Sequence, residues 1–164
     1  MTERVFIGLG SNLSEPRMQL RAAVQSLARI PHTSLLAVSS LYQTRPLGPQ
    51  DQPDYLNAVA LLETELEPEA LLDHLQAIEA DQGRSRDGER WGARTLDLDI
   101  LLFGERTMNT TRLTIPHVGL HQREFVLYPL NEIAPDQEVP ELGVVAELTA
   151  RCAPNGIERA GALE

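Results

Sequence analysis

Asp97 and Asp99 stand two residues apart in RTLDLDILLFG (residues 94–104), an otherwise apolar run. The run predicts a β-strand, in which residues i and i+2 share a face about 6.6 Å apart at a rise of ~3.3 Å per residue. Both carboxylates then lie on one side, continued by Leu101 and Phe103, while Leu96, Leu98, Ile100 and Leu102 face a core. Like charges this close either raise one pKa or take a counter-charge, and a hard divalent cation supplies one. Taken alone, the pattern fits an edge strand with two solvated carboxylates better, since antiparallel sheets often show one face to water.

The preceding segment shifts that balance. GRSRDGERWGAR (residues 83–94) holds Arg84, Arg86, Arg90 and Arg94 in a chain whose formal net charge is −10. The planar guanidinium fork binds phosphate oxygens bidentately. Metal-binding carboxylates beside phosphate forks are the parts of a phosphoryl-transfer site, where positioning and charge neutralisation do most of the catalysis. Gly83, Gly88 and Gly92 give the segment the freedom to close over a ligand. Trp91 reads equally as a lid residue or a packing anchor. All 14 basic residues are Arg, which excludes the phosphate loop that depends on Lys.

A second group is Tyr55 and Asn57. In YLNAVALLET (residues 55–64) strand alternation puts them on one face with Val59, opposite Leu56, Ala58 and Ala60. A ring with a nearby amide suits a flat heterocycle, by stacking and edge hydrogen bonds. A merely polar sheet face is the competing reading. His117 and His121 are four apart, but Pro116 and Gly119 argue against the helix that metal spacing would need. Gly8-Leu-Gly10-Ser-Asn-Leu13 lacks the third Gly of a dinucleotide fingerprint and reads as a strand-ending turn.

The elements that must position these residues follow from periodicity. Residues 5–9 form a buried strand; Leu20, Ala23, Val24 and Leu27 make a helical stripe, which Pro31 ends. Residues 35–44 read as one strand, 45–54 as a loop dense in Pro, Gly and Gln, and 55–64 as another strand. Pro68 opens a second helix with its stripe at Leu71, Leu72, Leu75 and Ile78, and Gln76 and Glu79 share a face of it. The order βαββαβ predicts an α+β, ferredoxin-like antiparallel sheet with both helices on one side. Residues 125–133 and 143–151 are expected as short helices, and the last ten residues as a weakly held tail.

At 164 residues the chain suits one domain, 1–164. A pI of 4.8 argues against non-specific nucleic-acid binding. The lone Cys152 excludes an internal disulfide and a cysteine-rich zinc site. No signal peptide or membrane-length apolar run is visible, so the expectation is a cytoplasmic protein with no membrane partner.

Three segments, SSLYQTRPLGPQDQPDYLNA, ERWGARTLDLDILLFG and LTIPHVGLHQREFVLYPLNEIAP, resemble the 6-hydroxymethyl-7,8-dihydropterin pyrophosphokinases of folate biosynthesis. The resemblance runs from Ile7 to Pro135 with the motif order intact. It implies transfer of pyrophosphate from ATP, the co-substrate, to the pterin hydroxymethyl group, giving AMP and the pterin diphosphate. It further implies two Mg2+ ions on Asp97 and Asp99, and Arg84 and Arg94 gripping the phosphates. Thr44, Leu47, Tyr55, Asn57, Trp91 and Phe125 match positions lining the pterin pocket. Gln76, Glu79, Ile100, Arg112, Leu113, Thr114, His117 and Arg123 match the ATP side, where Val118 replaces an aromatic residue. The partners implied are small molecules only, bound by a monomer. The competing functions are a non-catalytic ferredoxin-like ligand-binding module and a kinase that transfers a single phosphoryl group.

Overall fold

The computed structural model describes residues 2–11, 15–44, 55–83 and 96–163. In chain order the elements are β1 (Glu3–Ser11), α1 (Pro16–Leu27), β2 (Thr33–Val38), β3 (Tyr42–Thr44), β4 (Tyr55–Thr64), α2 (Pro68–Gly83) and β5 (Leu96–Phe103). Then come a hairpin of β6 (Met108–Asn109) and β7 (Thr114–Ile115), α3 (Glu124–Ile133), a hairpin of β8 (Glu138–Val139) and β9 (Gly143–Val144), α4 (Val145–Ala150) and β10 (Glu158–Arg159). The main sheet runs β10-β3-β4-β1-β5, with β2 also paired to β4, and its pairings are antiparallel. This is the ferredoxin-like arrangement expected from the element order.

The two sheet faces are dressed differently. On one, Leu20, Ala23 and Leu27 of α1 and Leu71, Leu72 and Leu75 of α2 join Val5, Ile7, Leu9, Leu56, Ala58, Ala60, Leu98 and Ile100 in the larger core. The helical stripes thus meet the alternate residues of the strands, as the spacing requires. On the other face, α3 and α4 pack Val126, Leu127, Leu130, Val145 and Leu148 against Phe6, Val59, Leu61, Leu101 and Leu102. The rest of that face, carrying Gly8, Gly10, Thr44, Tyr55, Asn57, Asp97 and Asp99, belongs to neither apolar cluster.

Four expectations need correction. First, Gly10 and Ser11 do not turn: β1 continues through both, pairing them with Asn57 and Leu56 on one side and Asp97 and Leu96 on the other. Second, the alternation of β5 breaks. Phe6 pairs with Leu102 and Ile7 with Ile100, so Leu101 is an extra residue in a bulge. Leu101 and Leu102 consequently both enter the smaller core, and Phe103 returns to the larger one. Third, residues 35–44 are two strands. Ser39 interrupts them by accepting the Val59 amide proton at its hydroxyl (2.9 Å) while its own amide donates to the Val59 carbonyl (2.8 Å).

Fourth, the tail is held. The pairs Glu158–Gln43 and Arg159–Tyr42 dock β10 on β3, and Leu163 is buried in the larger core. The small charged residues of this segment give no periodic signal, which is why the sequence reads as loose there. The short helices at 125–133 and 143–151 are present as α3 and α4.

Candidate active site

The site is built on the part of the sheet that α3 and α4 leave bare. One cross-strand row reads Tyr42, Asn57, Gly10, Asp97 across β3, β4, β1 and β5. The next includes Gly8 opposite Asp99. Directly opposed residues share a face, so the two carboxylates and the Tyr55–Asn57 pair look out on the same side. Strands lie about 4.8 Å apart, which sets Asn57 and Asp97, two strands apart, roughly 10 Å from each other across Gly10.

Glycine at position 10 has a local reason: a Cβ there would stand 2.9 Å from Asn57 Oδ1. The Asn57 amide therefore leans over the Gly10 backbone. Its Nδ2 donates to Thr44 Oγ1 at 3.3 Å, tying β4 to the end of β3. Glycines inside a strand mark such close approaches, and that signal at positions 8 and 10 was the one available in the sequence. Thr44, Tyr55 and Asn57 are thus brought together. Phe125 sits in the first turn of α3 at the border of the smaller core, with the Arg123 guanidinium 5.7 Å from its ring centroid.

Beyond the free edge of β5 lies a cleft of about 310 Å³ lined by Leu72, Gln76, Glu79, Leu98, Asp99, Ile100, Arg112, Leu113, Thr114, His117 and Val118. Seven of the eight residues matched to the ATP side line it: Gln76, Glu79, Ile100, Arg112, Leu113, Thr114 and His117. Arg123 does not; it heads α3 instead, over Phe125. Leu72 and Leu98, which the sequence pattern assigns only to the core, also line the cleft, and so does Val118, which the resemblance sets beside the ATP side. Val118 is 68% exposed, an apolar side chain displayed at the cleft.

Polar contacts fix the walls of this cleft. Glu79 Oε2 accepts the Leu98 amide proton at 2.7 Å, so α2 grips β5 at the peptide between the two aspartates. Arg112 donates to Asp73 (2.7 Å) and to Gln76 (3.3 Å), and the Asp73 carboxylate, with that of Glu69 near by, holds its guanidinium even further toward the charged form. The hairpin turn that presents Arg112 closes on Thr110, whose hydroxyl accepts the amide protons of Arg112 and Leu113. The His117 amide donates to the Leu101 carbonyl at the bulge (3.0 Å), and its Nε2 stands 3.9 Å from Asp99 Oδ2.

The donor set suits a divalent cation. Asp97 and Asp99 are exposed oxygen donors on one face, and Asp99 opens on the cleft. Among the described residues no group of three His, Cys, Asp or Glu gathers as a complete protein metal site. Two carboxylates with ligand oxygens completing the shell is the usual way of holding Mg2+ with a polyphosphate. Arg84, Arg94, Trp91 and Leu47, the remaining predicted site residues, lie outside the described residues. Among the described residues no helix is long and apolar enough to cross a membrane.

Most of the chain matches a family of known proteins. Residues 6–135 match the family model described as 7,8-dihydro-6-hydroxymethylpterin-pyrophosphokinase (HPPK). The chain is 55% identical over 159 residues to the 2-amino-4-hydroxy-6-hydroxymethyldihydropteridine pyrophosphokinase of Pseudomonas aeruginosa, covering 97% of this chain and 98% of that one. It is 54% identical over 148 residues to the protein of the same name from Haemophilus influenzae, covering 90% and 92%. Among solved structures it resembles the Plasmodium falciparum HPPK-DHPS wild type with pteroate, with a TM-score of 0.70 and 16% identity. That likeness, which concerns the fold, covers 92% of this chain and 42% of the longer one.

Proposed function

The chain belongs to the 7,8-dihydro-6-hydroxymethylpterin-pyrophosphokinase family, and from this we infer that it transfers the pyrophosphoryl group of ATP to 6-hydroxymethyl-7,8-dihydropterin in folate biosynthesis. The hydroxymethyl oxygen forms a bond to the β-phosphorus and loses its proton, the bond from that phosphorus to the bridging α–β oxygen breaks, and AMP departs. The observation that carries the reading is the part of one sheet face that α3 and α4 leave uncovered, with the Asn57 group on one flank of Asp97 and Asp99 and the β5-edge cleft on the other.

Residues 1–164 act as one pyrophosphokinase domain. Asn57 and Thr44 present amide and hydroxyl groups to the edge of the pterin, with Tyr55 and Phe125 as its aromatic neighbours. Across Gly10, which adds no side chain of its own beneath the Asn57 amide, the hydroxymethyl group extends toward Asp97. The nucleotide lies along the β5 edge: Leu72, Ile100, Leu113 and Val118 supply apolar contact, while Gln76, Arg112, Thr114 and His117 supply polar contact. Arg123 borders the path from Phe125. Arg84 and Arg94, which fall between α2 and β5 in the sequence, would bind the phosphates.

Asp97 and Asp99 would hold two Mg2+ ions, which neutralise polyphosphate charge and favour ionisation of the attacking hydroxyl. The contribution of the chain is positional. Glu79, by accepting the Leu98 amide proton, sets the stretch of β5 on which both carboxylates stand.

The test is to incubate the protein with ATP, Mg2+ and the reduced pterin and identify both products. AMP with a diphosphorylated pterin is expected. ADP would establish a single-phosphoryl kinase, and no turnover with both substrates present would leave a binding module.

A further inference from the structure

The strand β3 that carries Thr44 is three residues long, and pairing with β4 alone gives so short a strand little hold. Its second partner is β10, which belongs to a part of the chain beyond the family match at residues 6–135. The break between β2 and β3 leans on the same segment. The Leu41 amide donates to the Gly161 carbonyl (2.8 Å), and the Ala160 amide donates to the Leu41 carbonyl (2.7 Å). Both backbone groups of Leu41 thus find partners in residues 160–161.

The segment is itself anchored on the far side. Arg17 donates to the carbonyls of Ala160 (2.8 Å) and Ala162 (3.5 Å), and Arg21 donates to that of Leu163 (3.3 Å). Leu163, 3% exposed, plugs into the larger core. At β3, the Arg159 guanidinium lies 5.9 Å from the Tyr42 ring centroid and 3.4 Å from Glu132 Oε1. The same carboxylate accepts from the Tyr42 hydroxyl (2.9 Å), the Ser40 amide (3.0 Å) and the Ser40 hydroxyl (2.9 Å). Tyr42 is the cross-strand neighbour of Asn57, and two residues on lies Thr44, which receives the Asn57 amide.

We propose that residues 158–163 are a positioning element for pterin recognition, and that Arg159, clamped on Tyr42 and Glu132, is a positioning residue for the Thr44–Asn57 pair. Docked, the segment turns β3 from a short edge strand into an internal one and fixes the Thr44 hydroxyl relative to β4. The nucleotide cleft at the β5 edge stands on the opposite side of the sheet order and does not depend on it. The proposal rests on the reading of Thr44 and Asn57 as pterin contacts.

The test uses the full chain with Arg159→Ala, with Ala160→Pro, which removes the amide donor to Leu41, and with Asn57→Ala as reference. KM is measured separately for pterin and for ATP, together with thermal melting. Expected is a rise in pterin KM of about threefold for Arg159→Ala, as for a half-exposed ion pair, and about tenfold for Ala160→Pro. The ATP KM should stay within twofold, and Arg159→Lys should recover part of the loss. A raised pterin KM in Asn57→Ala with an unchanged one in both tail variants would overturn the positioning role alone. An unchanged pterin KM in Asn57→Ala would overturn the pocket reading beneath it. Equal rises in both KM values for the soluble, folded Arg159→Ala protein would reduce the segment to a general structural part.

Discussion

Gly10→Ala tests the floor of the site with one methyl group. The added Cβ would lie 2.9 Å from Asn57 Oδ1 and 3.9 Å from both Asn57 Cγ and Tyr55 Cδ1. Ordinary contact begins near 3.4 Å, so the amide oxygen must retreat by about half an ångström. Asn57 is 6% exposed and its Nδ2–Thr44 Oγ1 bond is already 3.3 Å, so the retreat either stretches that bond toward its geometric limit or rotates the amide. Loss or misalignment of one or two hydrogen bonds to the pterin should cost about 1–2 kcal/mol of binding, a five- to thirtyfold rise in KM.

Stability should barely move, because alanine lowers the entropy of the unfolded chain by an amount that offsets the local shift, roughly 0.5–1 kcal/mol. The assay is steady-state kinetics with pterin varied at saturating ATP, paired with a melting curve. Gly8→Ala is the internal control: the nearest atoms to its Cβ belong to the flexible Leu101 side chain, from 3.2 Å, and it faces Asp99 rather than Asn57. The reasoning is refuted if Gly10→Ala keeps a pterin KM within twofold of the parent, or if Gly8→Ala raises it equally.

Further outcomes follow from the same geometry. Asp97→Ala and Asp99→Ala should each lower turnover by about two to three orders of magnitude with little change in melting temperature; near-parental Mg2+-dependent turnover in either would remove that residue from the metal set. Glu79→Ala strips the Leu98 amide of its 2.7 Å acceptor and should cost about 1–2 kcal/mol, read as a melting drop of about 2–8 °C. Arg112→Ala should raise the KM for ATP while leaving that for pterin alone, since the residue lines the β5-edge cleft. Burial opposes ionisation of Glu132, but the Tyr42 hydroxyl, both Ser40 donors and Arg159 outweigh it and hold the carboxyl below the ordinary range. A depressed folded pKa stabilises above the unfolded value near 4.3, and that stabilisation fades as pH falls through the folded value. The melting difference between parent and Glu132→Gln should therefore be present at pH 7 and shrink at pH 4 and below.

The sequence carries the faces of the sheet well and its interruptions poorly. Alternation in residues 55–64 places Tyr55 and Asn57 opposite Leu56 and Ala58, as the two clusters require, because one buried face makes register costly to change. The spacing of Leu71, Leu72, Leu75 and Ile78 likewise fixes which side of α2 turns Gln76 and Glu79 toward β5. What escapes is non-local. The bulge at Leu101 exists because β1 and β5 differ by one residue in register, a fact about two strands together. The break at Ser39 depends on Val59, and the docking of residues 158–163 depends on Leu41, Arg17 and Arg21. None of these partners is within reach of a local pattern.

The bulge also explains why the aspartates stay at an exposed part of the strand. Were β5 regular, Phe103 would follow Leu101 on the side of Asp97 and Asp99, and Leu102 would face α2. The extra residue instead sends Leu101 and Leu102 together under α3 and α4 and returns Phe103 to the larger core. It separates a β5 half sealed in apolar contacts from a half that ends in two exposed carboxylates. The Leu101 carbonyl at this point takes the His117 amide, which brings the His117 ring to the cleft beside Asp99. A single irregularity thus closes the smaller core and sets His117 against the second aspartate. Deleting Leu101 should disturb both at once, lowering thermal stability and raising the KM for ATP, and loss of only one would separate the two roles.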